Sequence, residues 1–167
     1  MERRFRIEPL SGEHKRTAFQ CGTETLDRYF REQVSQDIRR RAAACYVSIE
    51  IESGKVAGYY TLAASGVPLV EMPESLVKRL PRYPVVPVVP VARLGRLAVD
   101  MAFRGQRLGA ALLWDAATRA VRSEIAVFAL VVDAKDEQAR AFYLHHGFLT
   151  YGSIPLQLIL PLAGFNT

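Results

Sequence analysis

The order of apolar and polar positions along the chain predicts strands and helices that alternate. Short apolar or alternating stretches bounded by glycine, proline and polar residues are typical of strands. They occur at residues 5–10, 45–51, 56–62, 91–99, 126–132, 148–151 and 154–160. Apolar residues three and four positions apart predict helices at residues 23–39, 74–79 and 105–120, and from a cap at Asp133 or Asp136 to a stop at Gly147. This order predicts an α/β fold with a mixed sheet.

The longest connection between these elements, Val67 to Pro90, is rich in proline. A connection of this length inside a compact domain is usually functional or disordered. Its four valines between positions 85 and 89 favour an ordered segment. The strands that follow need the earlier ones to complete a sheet, so we predict a single domain over residues 1–167.

Composition restricts the classes of protein to consider. Hydrophobic residues make up 50% and charged residues 23% of the chain, which is normal for a soluble globular protein. The charged N-terminus is unlike a signal peptide, and no apolar run reaches the length of a membrane span. We therefore expect no membrane partner. The net charge of +5 permits an anionic ligand or a nucleic acid without requiring either.

Cysteine and histidine usage indicates neither a disulfide framework nor a metal site. Cys21 and Cys45 lack metal-ligand spacing, so a reducing cytoplasm is the expected compartment. His14, His145 and His146 have no partners at ligand spacing, and no metal is expected. The adjacent histidines form either a catalytic pair or a solvated helix end, and a solvated end is the commoner arrangement.

The turn between the predicted strand at residues 91–99 and the next helix carries candidate binding chemistry. Its sequence is Arg104-Gly105-Gln106-Arg107-Leu108-Gly109-Ala110. Two glycines let the backbone approach a ligand closely. The N–H groups and dipole of a helix start, with two arginines, favour a phosphate or pyrophosphate. The dinucleotide and Walker motifs are absent. The alternative interpretation is an ordinary turn with an arginine-rich helix cap.

This turn resembles the acetyl-CoA loop of the GCN5-related N-acetyltransferases (GNAT), whose pattern is Gln/Arg-x-x-Gly-x-Gly/Ala. Arg104 occupies the first position of the pattern and Gly109 the last. Arg107 stands where the middle glycine is usual, so its β-carbon must fit beside the pyrophosphate or point away from it. The resemblance implies acetyl-CoA as co-substrate.

A second segment resembles the family's Asn-x-x-Ala-x-x-x-Tyr, followed by Gly-Phe. Ala139 and Tyr143 match this pattern, and Asp136 replaces the asparagine. In the family the tyrosine hydroxyl lies near the thioester sulfur, and a phenol with a pKa of about 10 can protonate the leaving thiolate. The resemblance therefore implies that Tyr143 is the catalytic acid. An aromatic core pair of Phe142 and Tyr143 is the alternative.

The resemblance also implies a fold and a cofactor site. The GNAT fold has a mixed, mostly antiparallel central sheet that is flanked by helices and splayed at the acetyl-CoA site. The family holds the pantetheine against main-chain groups of a central strand. The implied cofactor contacts are Leu97, Ala98, Val99, Arg104, Gly105, Gln106, Arg107, Leu108, Gly109, Ala110, Asp136 and Ala139. No general base is identified, because an attacking α-amine with a pKa of about 8 is already partly neutral.

Within this superfamily the chain resembles the acetyltransferase toxins of bacterial type II toxin–antitoxin modules, roughly from Ile7 to Leu160. The matching segments are Phe19-Gln20-Cys21-Gly22 with Leu26-Asp27, Val56–Leu62, Leu80–Pro84 followed by Leu94–Asp100, and Val132–Asp136 through Phe142-Tyr143. The resemblance implies acetylation of the α-amino group of aminoacyl-tRNA, which blocks translation. It also implies a homodimer and silencing by a ribbon-helix-helix antitoxin.

Evidence from the residues for a tRNA substrate consists of scattered cations. Arg82, Arg93 and Arg96 are the candidate phosphate contacts, and solvated surface charges are the alternative. Two other functions stay open. One is a GNAT acetyltransferase acting on a small-molecule amine or a protein amine. The other is a non-catalytic binding module, which Arg107 in the glycine loop would favour.

Overall fold

A computed structural model describes residues 3–80 and 87–165 of the chain. The strands of these residues are β1 (Phe5–Pro9), β2 (Ala44–Glu50), β3 (Val56–Pro68), β4 (Val88–Val99), β5 (Ala129–Asp133), β6 (Leu149–Thr150) and β7 (Gln157–Pro161). The α-helices are α1 (Glu24–Arg28), α2 (Val34–Arg39), α3 (Glu74–Val77), α4 (Leu108–Val121) and α5 (Glu137–His145). Short 3₁₀ turns lie at Leu69–Glu71 and Met101–Phe103.

The strands form a mixed sheet in the order β1-β2-β3-β4-β5-β7-β6. β4 and β5 are parallel, and their register runs from Val91 opposite Ala129 to Leu94 opposite Val132. The pairs β1–β2, β2–β3, β5–β7 and β6–β7 are antiparallel. The predicted α/β fold with a mostly antiparallel central sheet and flanking helices is therefore confirmed.

The apolar run that ends in β5 is a central strand, as its sequence predicts. Residues 129–132 are buried, and β5 lies between β4 and β7. A strand covered on both faces needs apolar side chains on both, which explains why the run does not alternate. The strand begins at Ala129 rather than at residue 126, and the Phe128 N–H just before it donates to the carbonyl of Pro90 in β4 at 2.9 Å.

The chain divides into two compact units, which we call the first unit (Met1–Ala63 and Gly95–Ala116) and the second unit (Ala64–Leu94 and Ala117–Thr167). The core of the first unit includes a stacked pair, Phe30 and Tyr59, with ring centroids 4.4 Å apart. The core of the second unit includes Val91, Val131 and Ile159, which are fully buried. The single domain over residues 1–167 stays a prediction.

The helix predicted at residues 23–39 is interrupted by a π-helical turn at Tyr29–Gln33. There the Val34 N–H donates to the carbonyl of Tyr29, five residues back. A π-helical turn leaves a carbonyl without its usual helical donor, and Arg16 donates to the carbonyl of Phe30 at 3.0 Å. The wider turn buries both Tyr29 and Phe30. The apolar residues Leu26, Phe30, Val34 and Ile38 are each four positions apart, a spacing that also fits a continuous helix, so it does not show the turn.

Part of the predicted irregular connection is strand. β3 continues to Pro68, and β4 begins at Val88, where the sequence predicts neither. Small residues at 63–66 hide the alternation of β3, and Gly66 allows the Val88 side chain to come so close that a β-carbon there would lie 2.4 Å from its Cγ1. The short predicted helix is present as α3. Among the described residues no helix is long and apolar enough to cross a membrane.

Gly58 in β3 provides a test of the packing in the first unit. A β-carbon at Gly58 would lie 2.8 Å from Leu112 Cδ1 and 3.0 Å from the carbonyl oxygen of Ala98. Because backbone cannot yield as a side-chain end does, Gly58→Ala is expected to lower the free energy of unfolding by about 1–3 kcal/mol. Gly12→Ala is the control, since no atom lies within 4 Å of its β-carbon position. Equal urea denaturation midpoints for the two variants would contradict this packing.

Candidate functional site

The segment between β4 and α4 lies in the first unit and is an ordered turn fixed by hydrogen bonds. Asp100 follows β4, and its Oδ1 accepts the N–H of Ala102 at 2.9 Å, which caps the 3₁₀ turn. The Asp100 N–H itself donates to the carbonyl of Ala57 in β3 at 2.8 Å. These two hydrogen bonds hold the backbone after β4 against β3, just before the candidate loop begins.

Two residues of the loop have a left-handed backbone. Gly105 has φ +79° and Arg107 has φ +59°. The carbonyl of Arg107 accepts the N–H of Ala111 at 3.1 Å, which is the first helical bond of α4. Arg107 thus adopts the backbone conformation that a glycine at this position would adopt, and its side chain is exposed. The departure from the family pattern changes the side chain and keeps a glycine-like turn.

The beginning of α4 presents the N–H groups expected of an anion site. The first N–H groups of a helix have no intrahelical acceptor, and they lie at the positive end of the helix dipole. In α4 these belong to Leu108, Gly109 and Ala110. Leu108 is buried, so the helix is held on its apolar side while its end stays accessible to a ligand.

Two side chains of the loop are tied to other parts of the first unit. The guanidinium of Arg104 donates through Nη2 to the carbonyl of Cys21. The side-chain oxygen of Gln106 accepts from Arg4 Nη1. Arg104 and Gln106 are exposed residues, and these contacts restrict the rotamers that they sample. The loop is therefore partly organised by the N-terminal segment of the chain.

The end of β4 offers main-chain groups beside this loop. Ala98 is buried, whereas Leu97 and Val99 are partly exposed. The parallel register puts Leu94 opposite Val132, and β5 ends one residue later. Residues 96–99 follow the paired part of β4 in the chain. Main-chain groups of a strand end are what strand-like docking of an extended ligand requires.

Tyr143 lies on α5 in the second unit. Its side chain is only 6% exposed and packs edge-on against Phe142 and Phe148, with ring centroids 5.2 and 5.3 Å away. Burial raises the pKa of Tyr143 above that of a free phenol, so the hydroxyl is protonated throughout the neutral range. Tyr143 is thus a member of an aromatic cluster whose hydroxyl keeps its proton at neutral pH.

Asp136 caps α5, which decides between the two predicted caps. Its Oδ1 accepts the N–H of Ala139 at 2.8 Å. A carboxylate at a helix N-terminus also interacts favourably with the dipole. This contact explains an aspartate at the position where the wider family has asparagine, since either side chain can accept the N–H. Contact of Asp136 and Ala139 with a cofactor stays a prediction.

The candidate tRNA contacts differ in their surroundings. In the second unit, Arg93 forms an ion pair with Asp133 at 2.8 Å and donates to Ser65 Oγ at 3.4 Å. In the first unit, the guanidinium carbon of Arg96 lies 3.4 Å from the centroid of the Tyr29 ring. Arg82 lies outside the described residues. The structure therefore gives Arg93 and Arg96 defined protein partners, which the sequence alone does not reveal.

Two buried residues of the first unit, Tyr29 and Asp27, make polar contacts that the sequence does not predict. Tyr29 is buried in the core of the first unit, and its hydroxyl donates to Asp37 at 2.6 Å. Asp27 is buried, and its Oδ1 accepts the N–H of Cys21 at 2.8 Å. The signal for Asp27 is the segment Cys21-Gly22 with Leu26-Asp27, which the resemblance to the toxins highlights without giving it a role.

The histidine pair lies at the end of α5. The rings of His145 and His146 are 5.1 Å apart, and His146 also contacts Phe142 at 4.8 Å. Both histidines are exposed. Burial of part of the ring and the neighbouring His145 lower the pKa of His146, so it is mostly neutral at pH 7. These features fit a solvated helix end. Within residues 3–80 and 87–165, no histidine, cysteine and carboxylate side chains are grouped to hold a metal ion.

The chain is similar to known acetyltransferases in sequence. The model of the acetyltransferase (GNAT) family matches residues 10–148. A tRNA-acetylating toxin of Mycobacterium tuberculosis is 35% identical over 146 residues, which cover 86% of this chain and 84% of that protein. A probable toxin TacT of Sinorhizobium fredii is 27% identical over 167 residues, with 94% and 91% covered.

Solved structures show the same similarity in three dimensions. A tyrosine-to-phenylalanine mutant of KacT has a TM-score of 0.88 and 25% identity, with 97% of each chain covered. AtaT in complex with acetyl-methionyl-tRNA has a TM-score of 0.87 and 27% identity, with 96% of each chain covered. AtaTR bound with acetyl-CoA has a TM-score of 0.81 and 28% identity, with 96% of this chain and 95% of that chain covered. The chain therefore belongs to the acetyltransferase (GNAT) family, and toxins of that family are the proteins it resembles along almost its whole length.

Proposed function

We propose that this protein is the toxin of a type II toxin–antitoxin module. It transfers the acetyl group of acetyl-CoA to the α-amino group of an aminoacyl-tRNA. The observation that carries this proposal is the likeness along almost the whole chain to AtaT, solved in complex with acetyl-methionyl-tRNA. An acetylated aminoacyl group has no free amine to extend a peptide, so the product blocks translation.

The loop before α4 is the proposed binding site for the pyrophosphate of acetyl-CoA. The N–H groups at the beginning of α4 supply donors aligned with the helix dipole, and Arg104 and Arg107 supply positive charge. The other proposed cofactor contacts are the main chain of Leu97, Ala98 and Val99, the loop residues Gly105 and Gln106, and Asp136 and Ala139. Support for the strand residues comes from their place after the paired part of β4, and support for the others comes from the family pattern.

Tyr143 is the proposed catalytic acid. The neutral amine attacks the thioester carbonyl, the carbon–nitrogen bond forms, and the carbon–sulfur bond breaks. The sulfur keeps the bonding electrons and takes the proton of the Tyr143 hydroxyl, while the nitrogen gives its proton to water and the tyrosinate is reprotonated from solvent. An α-amine with a pKa of about 8 is partly neutral without a dedicated base. The buried hydroxyl stays protonated, as this role requires.

Arg96 is better suited than Arg93 to contact the phosphates of tRNA. A guanidinium stacked on an aromatic ring keeps its charge and directs its N–H groups outward in its own plane. Arg96 on the Tyr29 ring has this arrangement. The charge of Arg93 is balanced by the carboxylate of Asp133, which RNA would have to displace or share. Arg82 is proposed from its sequence position alone.

The wider assembly is proposed by analogy with the relatives. AtaT has been solved with the C-terminus of the antitoxin AtaR, and KacTA with DNA. We extend this to a homodimer silenced by a ribbon-helix-helix antitoxin. We also propose that the chain works as a single domain over residues 1–167, in the cytoplasm, where charged tRNA is found.

Transfer of a labelled acetyl group tests the proposed reaction. The purified protein is incubated with [¹⁴C]acetyl-CoA and a pool of charged tRNAs, and the tRNA is then deacylated at alkaline pH. We expect the label in N-acetylated amino acids released from the tRNA, and no label when uncharged tRNA is supplied. Label on small amines or on protein lysines, with none on charged tRNA, would replace the toxin proposal by the alternative acetyltransferase.

Removal of the Tyr143 hydroxyl tests the catalytic acid. We expect Tyr143→Phe to lower kcat by about a hundredfold or more, because the thiolate then leaves without a proton donor. The Kd for acetyl-CoA should not change. Tyr59→Phe is the matched control, since Tyr59 is also a buried tyrosine and its hydroxyl donates to the carbonyl of Leu26 at 2.7 Å. An unchanged kcat in Tyr143→Phe would exclude the assigned role.

Comparing two arginine-to-glycine variants distinguishes the effect of the Arg107 charge on cofactor binding from the effect of its backbone conformation. Arg107 and Arg41 both have φ +59°. Replacing either by glycine relieves left-handed strain at the cost of chain entropy, so both variants should change the free energy of unfolding by about 1 kcal/mol or less. Only Arg107→Gly removes charge beside the phosphates, and we expect its Kd for acetyl-CoA to rise about fivefold. Equal affinities in a calorimetric titration would show that the Arg107 side chain does not contact the cofactor.

A further inference from the structure

The exposed cation Arg104 has an unusual partner for a surface arginine. Its guanidinium donates to the carbonyl of Cys21, 83 positions away in the sequence. A free arginine side chain loses much rotamer entropy when a ligand orders it. A carbonyl oxygen orients a guanidinium and leaves its charge intact, whereas a carboxylate partner would neutralise it. This contact therefore presents a pre-ordered, fully charged arginine.

The turn at Cys21 and Gly22 has the shape that this contact needs. Gly22 has φ +95°, a conformation that L side chains rarely adopt. A β-carbon at Gly22 would lie 3.1 Å from Arg104 Nη2. Glycine is favoured here by the backbone angle, and a β-carbon would displace the guanidinium by a few tenths of an ångström.

Asp27 fixes this turn from the buried side. Its side chain is almost fully buried, with the residue 2% exposed, and its Oδ1 accepts the Cys21 N–H at 2.8 Å. Its Oδ2 lies 3.7 Å from the guanidinium of Arg31, one helical turn further along. The Asp27 N–H donates to the carbonyl of Thr23 at 3.0 Å. The Asp27 carboxylate, itself fixed by burial and by its contact with Arg31, therefore holds the peptide group of Cys21 in place.

The same N-terminal segment is bonded to the residues that precede Arg104. The Gln20 N–H donates to Asp100 Oδ2 at 3.0 Å, and the Met101 N–H donates to the carbonyl of Gln20 at 2.9 Å. With the contact from Arg104 to Cys21, three hydrogen bonds join residues 20–21 to residues 100–104. The position of Arg104 is thus set from the N-terminal segment.

We propose that Asp27 and Gly22 are positioning residues of acetyl transfer, which hold the Cys21 carbonyl where it orients Arg104 toward the pyrophosphate of acetyl-CoA. Neither residue contacts the cofactor in this scheme, and both act through Arg104. The inference rests on the proposed function, because it assumes that Arg104 binds acetyl-CoA. It assigns a role in the reaction to the segment that carries the toxin-like Cys-Gly and Leu-Asp pairs.

A pair of glycine variants tests the contact without changing any polar group. Gly22→Ala and Gly54→Ala both place a β-carbon at a positive φ, of +95° and +72°, but no atom lies within 4 Å of the β-carbon at position 54. We expect Gly22→Ala to raise the Kd for acetyl-CoA about tenfold, the effect of losing a well-placed charged hydrogen bond. Gly54→Ala should bind as the wild type does. Equal Kd values for both variants, measured by calorimetry on folded protein, would overturn the proposal.

A double-mutant cycle tests whether Asp27 acts through Arg104. We expect Asp27→Ala to raise the Kd about tenfold with little change in kcat at saturating acetyl-CoA. Asp27→Asn, which keeps an acceptor for the Cys21 N–H, should retain most of the affinity. In an Arg104→Ala background, Asp27→Ala and Gly22→Ala should have almost no further effect on Kd. Independent, additive effects would show a purely structural role and overturn the proposal. If Asp27→Ala does not fold, the Kd values of Gly22→Ala and Asp27→Asn, each compared with and without Arg104→Ala, test the proposal instead.

The wild-type titration separates this inference from the function on which it rests. A wild-type chain that does not bind acetyl-CoA overturns both. Binding that Arg104→Ala leaves unchanged overturns the positioning role and leaves the acetyltransferase assignment in place. Binding that weakens in Arg104→Ala but not in Gly22→Ala or Asp27→Ala also overturns the positioning role alone.

Discussion

The beginning of α4 must satisfy two opposing requirements, and the first unit is built around them. The N–H groups of the first turn have to be accessible to an anion, while the apolar face of the same helix is buried through Leu108, Leu112 and Ala116. A turn with left-handed residues at Gly105 and Arg107 leads directly into the helix and leaves its first N–H groups at an exposed end. Arg107 can stand in for glycine since the conformation is kept and the side chain points to solvent.

The arginines differ in whether their positive charge is neutralised, and this depends on the group that each guanidinium contacts. A carbonyl orients Arg104 and an aromatic ring supports Arg96, and neither partner cancels the cation. Arg93 faces a carboxylate and is locally neutral. A modest net charge of +5 is therefore compatible with a substrate as anionic as tRNA, since the charges that stay uncompensated matter more than the total.

Local sequence signals predicted those features that depend on neighbours in the chain. The apolar run of β5, the glycine turn before α4 and a cap of α5 at Asp133 or Asp136 are of this kind, and the structure contains all three, with Asp136 as the cap. Features that depend on distant partners could not be predicted. The contact of Arg104 with Cys21 joins residues 83 positions apart, and the Phe30 carbonyl in the π-helical turn accepts a hydrogen bond from Arg16, 14 positions away. The roles of the loop residues and of Tyr143 stay predictions from the family pattern.

Hydrogen–deuterium exchange with and without acetyl-CoA tests the central claim most directly, because that claim concerns main-chain N–H groups. The exchange of the amides of residues 105–110 is followed by mass spectrometry on the intact chain. We expect acetyl-CoA to slow exchange in this segment, since the amides at the beginning of α4 become donors to the pyrophosphate. Binding of acetyl-CoA that protects other segments and leaves residues 105–110 unchanged would contradict it.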